Sequence, residues 1–323
     1  MTTETYFHEY FADWVELYKQ GAVRPVTYGK YLVTESWLAK LAPKLKICEL
    51  NRRSYQSLIN EYAKTHEKQT TMDFHHHMKS AVLDAIDEGF LSADPTRRVI
   101  IKGKAPAVKK PKYLSERELK TLLSALVLKE QPNWDWLILL IAKTGVRFSE
   151  ALALTPSDFD FYEQKIRISK TWDYKSPVGG FAETKNKSSQ RTVYVDPILT
   201  GQFYKLADGL PATEPIFIKG RVFNSTVNNR LKALCKAATV SVISIHGLRH
   251  SHASALIFAG VSIASIAKRL GHSSITTTQK TYLHIIQELE DQDNDKIIGY
   301  LAELGQGQIA KQWPLLKGGL INV

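Results

Sequence analysis

Cysteine is nearly missing from this chain: Cys48 and Cys235 are the only two in 323 residues, and they lie far apart. Neither a disulfide framework nor a cysteine zinc site is expected. No apolar run approaches the ~18 residues of a membrane-spanning helix. The opening residues, Met1 to Tyr6, lack the basic and apolar regions of a secretory leader, which predicts a cytoplasmic protein with no membrane partner. No Gly-x-x-x-x-Gly-Lys-Ser/Thr loop is present to hold a nucleoside triphosphate. No cage of acidic side chains for a metal stands out, and internal repeats and low-complexity tracts are missing. No cofactor is expected.

What the chain does have is positive charge. Lysine and arginine number 43 against 32 acidic residues, a formal net charge of +11 with a pI near 9.4. That balance favours a polyanionic partner. The length suffices for two domains, each with its own core.

The expected fold is mainly α with a small antiparallel β-sheet. Residues 1–104 read as a helical domain. Tyr6, Phe7, Tyr10, Phe11, Trp14 and Leu17 recur at helical spacing. Thr27 is the expected cap of a second helix carrying Tyr31, Leu32 and Trp37. Tyr55, Leu58, Ile59 and Tyr62 mark a third helix. Met78, Val82, Leu83 and Ile86 mark a fourth, ending near Gly89. His75-His76-His77 suggests a metal cluster, but successive helix residues point about 100° apart and do not converge on one ion. The run reads as a polar helix start.

Residues 101–112 are rich in proline and lysine and have no apolar period, so residues 105–114 are assigned as a basic linker. Lys109, Lys110 and Lys112 either lie in solvent or follow a phosphate backbone, where lysines release counterions. Residues 115–290 form the second domain. Ser115-Glu-Arg-Glu118 is a capping box. Trp134 to Ala142 is an apolar helix punctuated by Thr144-Gly145, and a short helix follows from Arg147 to Leu154. Lys165 to Ser169 and Arg191 to Val195 read as strands, with Glu183 to Gln190 as the polar hairpin between them. The remainder is helical.

The chemistry is concentrated in this second domain. Thr144-Gly145-Val146-Arg147-Phe148-Ser149-Glu150 is followed by His246-Gly-Leu-Arg249-His250, then Leu270-Gly271-His272, then Tyr282. Arginine clamps phosphate oxygens in a planar fork. Histidine moves protons near neutral pH. A tyrosine hydroxyl can serve as a covalent nucleophile. His246 and Arg249 share a helix face, and Gly271 ends the helix of Ile263 to Leu270. Tyr282 is placed in a helix begun by Ser273 or Ser274.

These motifs, in this order, resemble the tyrosine recombinases of the phage-integrase family over residues 112–290. The N-terminal helices are more weakly similar to that family's core-binding domain, a SAM-like helical fold. The resemblance implies a C-shaped clamp around duplex DNA, acting as a homotetramer on paired core recombination sites. It implies that Tyr282 attacks the scissile phosphate to give a 3′-phosphotyrosyl link and a free 5′-hydroxyl. Arg147 and Arg249 would stabilise the developing charge where a two-metal nuclease uses metal ions. His246 fits a general base or acid near the tyrosine, and His272 a hydrogen-bond donor to the phosphate. An alcohol leaving group needs a general acid. The family uses a hairpin lysine, matched by Lys185, with Lys187 the runner-up. Glu150 fits a structural support. Since the phosphotyrosine keeps the phosphodiester bond energy, neither metal nor ATP is needed.

Other expectations are less specific. Asn228, Arg230 and Lys232, on a helix opening at Ser225, either reach bases and phosphates or form a solvated face. The tail, residues 291–323, carries Ile297, Ile298, Leu301 and Leu304 at helical spacing and is expected to dock on a neighbouring protomer; packing in cis is the alternative. The chain enters the core-binding domain almost at once, so an arm-site domain is not expected. Integration and excision, with an accessory excision factor or host DNA-bending protein as partners, is the leading function. Chromosome or plasmid dimer resolution by the same chemistry remains open, as does a topoisomerase. A non-catalytic regulator is the other rival, because residues 261–276 resemble a helix-turn-helix.

Overall fold

The computed structural model describes residues 4–105, 112–184 and 186–305. The chain divides into two compact units, Met1–Lys109 and Lys110–Val323.

The first unit is built from helices α1 (Phe7–Lys19), α2 (Pro25–Leu41), α3 (Arg52–Ala63) and α4 (Lys68–Asp87). The apolar spacing of α1 becomes a buried face of Phe7, Tyr10, Phe11, Trp14 and Val15; Leu17 lies outside it, exposed. Helix α2 starts three residues earlier than expected. Pro25 occupies its first turn and Arg24 precedes it, so Thr27 lies inside the helix. Proline's fixed φ and missing N–H suit that first turn. Asn51 caps α3 by accepting from the N–H groups of Arg53 and Ser54. The histidine run sits in the middle of α4, not at its start. His75 Nδ1 meets the Tyr55 hydroxyl at 3.0 Å, and His77 Nδ1 meets the Thr34 hydroxyl at 2.8 Å. These rings face different neighbours and serve packing.

The second unit opens with α5 (Glu116–Ser124), closed by the expected Ser115/Glu118 box. Helix α6 (Trp134–Thr144) is its central rod, apolar almost all round and buried. Gly145 ends α6 with φ +69°, and a Cβ there would come within 2.6 Å of the His252 ring and 2.9 Å of Leu270. Glycine permits both the left-handed turn and the close approach. Helix α7 (Phe148–Leu152) follows. Strands β1 (Phe159–Asp160), β2 (Lys165–Ile168) and β5 (Arg191–Tyr194) form an antiparallel sheet in the order β1-β2-β5. Its register sets Ile166 opposite Val193 and Ile168 opposite Arg191.

The hairpin lies elsewhere than expected. It is made by β3 (Lys170–Trp172) and β4 (Phe181–Glu183). Asp173 organises its turn by accepting from the N–H groups of Lys175 and Ser176. Most of the segment expected to be the hairpin follows β4 and contains one short turn, Lys187–Ser189, capped by Asn186. The remaining helices are α8 (Pro197–Ala207), α9 (Asn224–Ala237), α10 (Ile245–Phe258), α11 (Ile263–Leu270) and α12 (Ile275–Gly305). Helix α10 packs along α6. Tyr282 interrupts α12 with φ −112° and ψ 15°, a break in its helical geometry.

Candidate active site

The site gathers where the ends of α6, α10 and α11 meet the break in α12. Gly145 turns the chain so that Arg147 precedes α7. Ser244 caps α10, accepting from Gly247 N–H, and sets His246 on the first turn. Gly271, with φ +68°, stops α11 and releases His272.

Two arginines reach adjacent carbonyls at the end of α11. Arg249 is buried, with its guanidinium donating to Gly145 O at 2.7 Å and Leu270 O at 2.6 Å. Among the described residues it makes no salt bridge. Burial, then the nearby Arg147 charge, pulls its pKa below the usual arginine range. Arg147 donates to Gly271 O at 3.2 Å and to Glu150 Oε1 at 2.7 Å. Glu150 is buried and also takes Arg191, the supporting role expected for it. Burial alone would raise the Glu150 pKa. The hydrogen bond and charge of Arg191, together with Arg147, outweigh that and bring it down to about 2.

Tyr282 is almost fully buried beside Ala253, Ile257, Ile266 and Leu270. Its hydroxyl meets His250 Nδ1 at 3.0 Å. Burial pushes that hydroxyl up to about 12, with Arg249 pulling the other way. His250 is the residue that spacing missed. It lies one turn beyond His246, whose ring stands edge-on to it with centroids 4.9 Å apart. Its place four residues after His246 was the available signal, since such pairs share a helix face. Burial, then His246 and Arg249, lowers His250 to about 4. Burial and the Arg249, Arg147 and Arg191 charges lower His272 to about 4. Both rings are neutral at pH 7. His272 Nδ1 meets the Thr278 hydroxyl at 2.7 Å.

His246 lines a cleft of about 460 Å³ with Lys112, Lys232 and His250. Asn228, another of the α9 residues expected at DNA, lines the same cleft, and both it and Arg230 also have protein partners. Arg230 grips both oxygens of buried Asp135 at 2.7 Å. Asn228 accepts from Ile245 N–H at 2.9 Å, supporting the start of α10. Lys109, Lys110 and Lys185 lie outside the described residues. Lys187 is exposed on the turn after β4. The helix-turn-helix-like segment forms α11 and the start of α12, and its turn carbonyls receive arginines. Among the described residues no helix is long and apolar enough to cross a membrane, and no group of three metal-ligating side chains occurs.

Comparison with known proteins adds a lineage. The profile of the Phage integrase family matches residues 112–288. The Tyrosine recombinase XerC-like of Caldanaerobacter subterraneus subsp. tengcongensis is 25% identical over 274 residues, covering 75% of this chain and 69% of that protein. The ICEBs1 integrase of Bacillus subtilis is 27% identical over 207 residues, 58% of this chain and 55% of that protein, so the chain spans little more than half of that relative. In fold the chain is similar to the Tn1549 transposon integrase in complex with a circular intermediate DNA, with a TM-score of 0.71, 17% identity and coverage of 85% and 94%. It is also similar to a lambda integrase dimer bound to a COC' core site, with a TM-score of 0.63, 16% identity and coverage of 84% and 76%. With more than half its length matched by the family profile, and with the ordered arginines, histidines and tyrosine gathered at one site, this chain belongs to the phage integrase family, as a tyrosine-type site-specific DNA recombinase.

Proposed function

We propose that the protein integrates and excises a mobile DNA element, cutting and rejoining duplex DNA at core sites with Tyr282 as the nucleophile. The observation that carries this reading is the buried Arg249, which donates to carbonyls and among the described residues makes no salt bridge, beside a tyrosine hydroxyl bonded to a neutral histidine. An uncompensated buried cation calls for an anion. A phosphodiester supplies one, and its charge grows in the transition state.

Neutral His250 accepts the Tyr282 proton, taking the place beside the tyrosine that the resemblance gave to His246 as general base or acid. The phenolate oxygen bonds to phosphorus as the P–O5′ bond breaks, leaving a 3′-phosphotyrosyl link. Lys185 gives its proton to the departing 5′ oxygen. Arg147 and Arg249 hold the non-bridging oxygens. A His272 that accepts the Thr278 hydroxyl proton at Nδ1 carries its own proton on Nε2 and donates it to the phosphate. His246, Lys112 and Lys232 face the DNA across the cleft. The helical N-terminal unit serves as the core-binding domain. Four protomers act on two sites, and residues 291–323 dock on a neighbour. An accessory excision factor or a DNA-bending protein sets direction. Dimer resolution is the second reading, favoured by the likeness to the XerC-like recombinase.

The test uses a nicked duplex bearing the junction sequence that flanks the gene. Wild type should form a covalent adduct on a denaturing gel. Tyr282→Phe, which loses only the hydroxyl, should bind the duplex and form none. An adduct of normal yield from the variant would remove Tyr282 from the role.

A further inference from the structure

Three consecutive carbonyls at the C-terminal end of α11 each receive a different arginine. Arg269 O accepts from Arg191 Nε at 2.6 Å, Leu270 O from Arg249 Nη2 at 2.6 Å, and Gly271 O from Arg147 Nη2 at 3.2 Å. A helix C-terminus offers carbonyls without intrahelical partners and the negative end of the dipole. It orients cations without a full countercharge.

Among the described residues, one carboxylate is bonded to this group. Glu150 is shared by two arginines. Arg147 donates its N–H to Oε2 at 2.8 Å and Nη1 to Oε1 at 2.7 Å. Arg191 donates Nη1 to Oε1 at 3.2 Å and Nη2 to Oε2 at 2.9 Å. Their surroundings differ. The Arg147 side chain is 29% exposed and the Arg191 side chain 5%. Arg147 is open enough to meet a phosphate from solvent, whereas Arg191 is nearly enclosed on the same carboxylate. The turn is shaped around Arg191. A Cβ on Gly271 would lie 3.0 Å from Arg191 Nη1 and 3.0 Å from Ser188 O, at a φ of +68°.

We infer that Arg191 is a positioning residue: it neutralises Glu150, so that Glu150 orients Arg147 without cancelling the charge Arg147 presents to the phosphate. With both arginines present, one carboxylate stands against two guanidiniums, leaving one positive charge on the more exposed, Arg147 side. With Arg191 neutralised, Arg147 and Glu150 form a closed, neutral pair. This inference rests on the reading of Arg147 as a phosphate ligand.

A plain strut joining β5 to α11 would also matter for the fold, so the test must separate charge from scaffolding. The measurement is single-turnover cleavage of the same nicked duplex by the full chain. Arg191→Met should slow cleavage by on the order of 10²-fold, as expected when a phosphate clamp is lost. Adding Glu150→Gln should then speed cleavage by roughly tenfold over Arg191→Met, because the unmatched carboxylate is gone while an acceptor for Arg147 remains. If Arg191→Met does not fold, Arg191→Gln, which keeps hydrogen bonding but carries no charge, enters the same pair. A double variant no faster than its parent, while wild type forms the adduct, overturns the inference alone. No adduct from wild type overturns the reading of the site and the inference with it.

Discussion

Both units bury histidines, and they use them differently. In the helical unit, His75 and His77 meet the hydroxyls of Tyr55 and Thr34, and nearby polar groups close on one another, with Trp14 Nε1 donating to Asp84 at 2.6 Å and the Tyr10 hydroxyl to Glu88 at 2.9 Å. Each donor has found an acceptor inside the fold. In the second unit, His246, His250 and His272 surround arginines whose partners are mainly carbonyls. There one carboxylate, Glu150, serves both Arg147 and Arg191, and among the described residues Arg249 is held by carbonyls without a salt bridge, so the fold orients more positive charge than it neutralises. Burial with matched partners builds a core, whereas burial with unmatched positive charge builds a site that waits for an anion.

The largest expected effect follows from the unmatched charge. Arg249→Ala should slow cleavage by 10²-fold or more, on the order seen when a preorganised donor to a developing charge is lost. A substrate with a sulfur at the 5′ bridging position has a good leaving group. It should rescue Lys185→Ala, whose defect is the missing proton, and not Arg249→Ala. Rescue of Arg249→Ala instead would place that arginine near the leaving group and not on the non-bridging oxygens.

Acid should separate the units next. Burial lowers His250 and His272 to about 4, His252 to about 3, and His246 in the same direction; in the helical unit it lowers His75 to about 4 and His77 likewise. A histidine with a folded pKa below its unfolded value of about 6.5 takes its proton more readily when unfolded. Its contribution is complete above about pH 6.5 and is lost as pH falls towards the folded values. Glu150, lowered to about 2, adds a loss only below about pH 4.5. The second unit carries more of these histidines and should lose more thermal stability between pH 7 and pH 5. Thermal unfolding of the full chain, followed by proteolysis and mass assignment of each unit, checks it. Earlier opening of the helical unit in acid would contradict the comparison.

The smallest effect is expected in the helical unit. His75→Leu leaves the Tyr55 hydroxyl without its ring partner and should cost about 1–2 kcal/mol of stability. The cleavage rate of the folded protein should not change. A large rate loss at unchanged stability would assign that histidine to the site.

Much of this site was legible because its residues lie in short, ordered motifs. Gly145 and Gly271 announced turns, and those turns do place Arg147 and His272. What stayed hidden depends on tertiary geometry. Arg191 is 41 residues from Glu150 in sequence, and its one sequence trace is parity: on β5 it shares a face with buried Val193. His250 lay within the quoted motif, but its contact with Tyr282 needed the break in α12. The hairpin was misplaced because β3 and β4 are three residues each, too short for alternation to register. Arg230 and Asn228 read as surface polar residues because their partners, Asp135 and Ile245, come from other helices.

The central claim is that Tyr282 itself becomes joined to DNA, and peptide mapping tests it most directly. Trap the adduct on the nicked duplex, digest the DNA to a short nucleotide remnant, and cleave the protein after lysine and arginine. The remnant should sit on the peptide Thr281 to Lys296, which contains no other tyrosine. A remnant on any other peptide, or a noncovalent complex with cut DNA, would contradict the account.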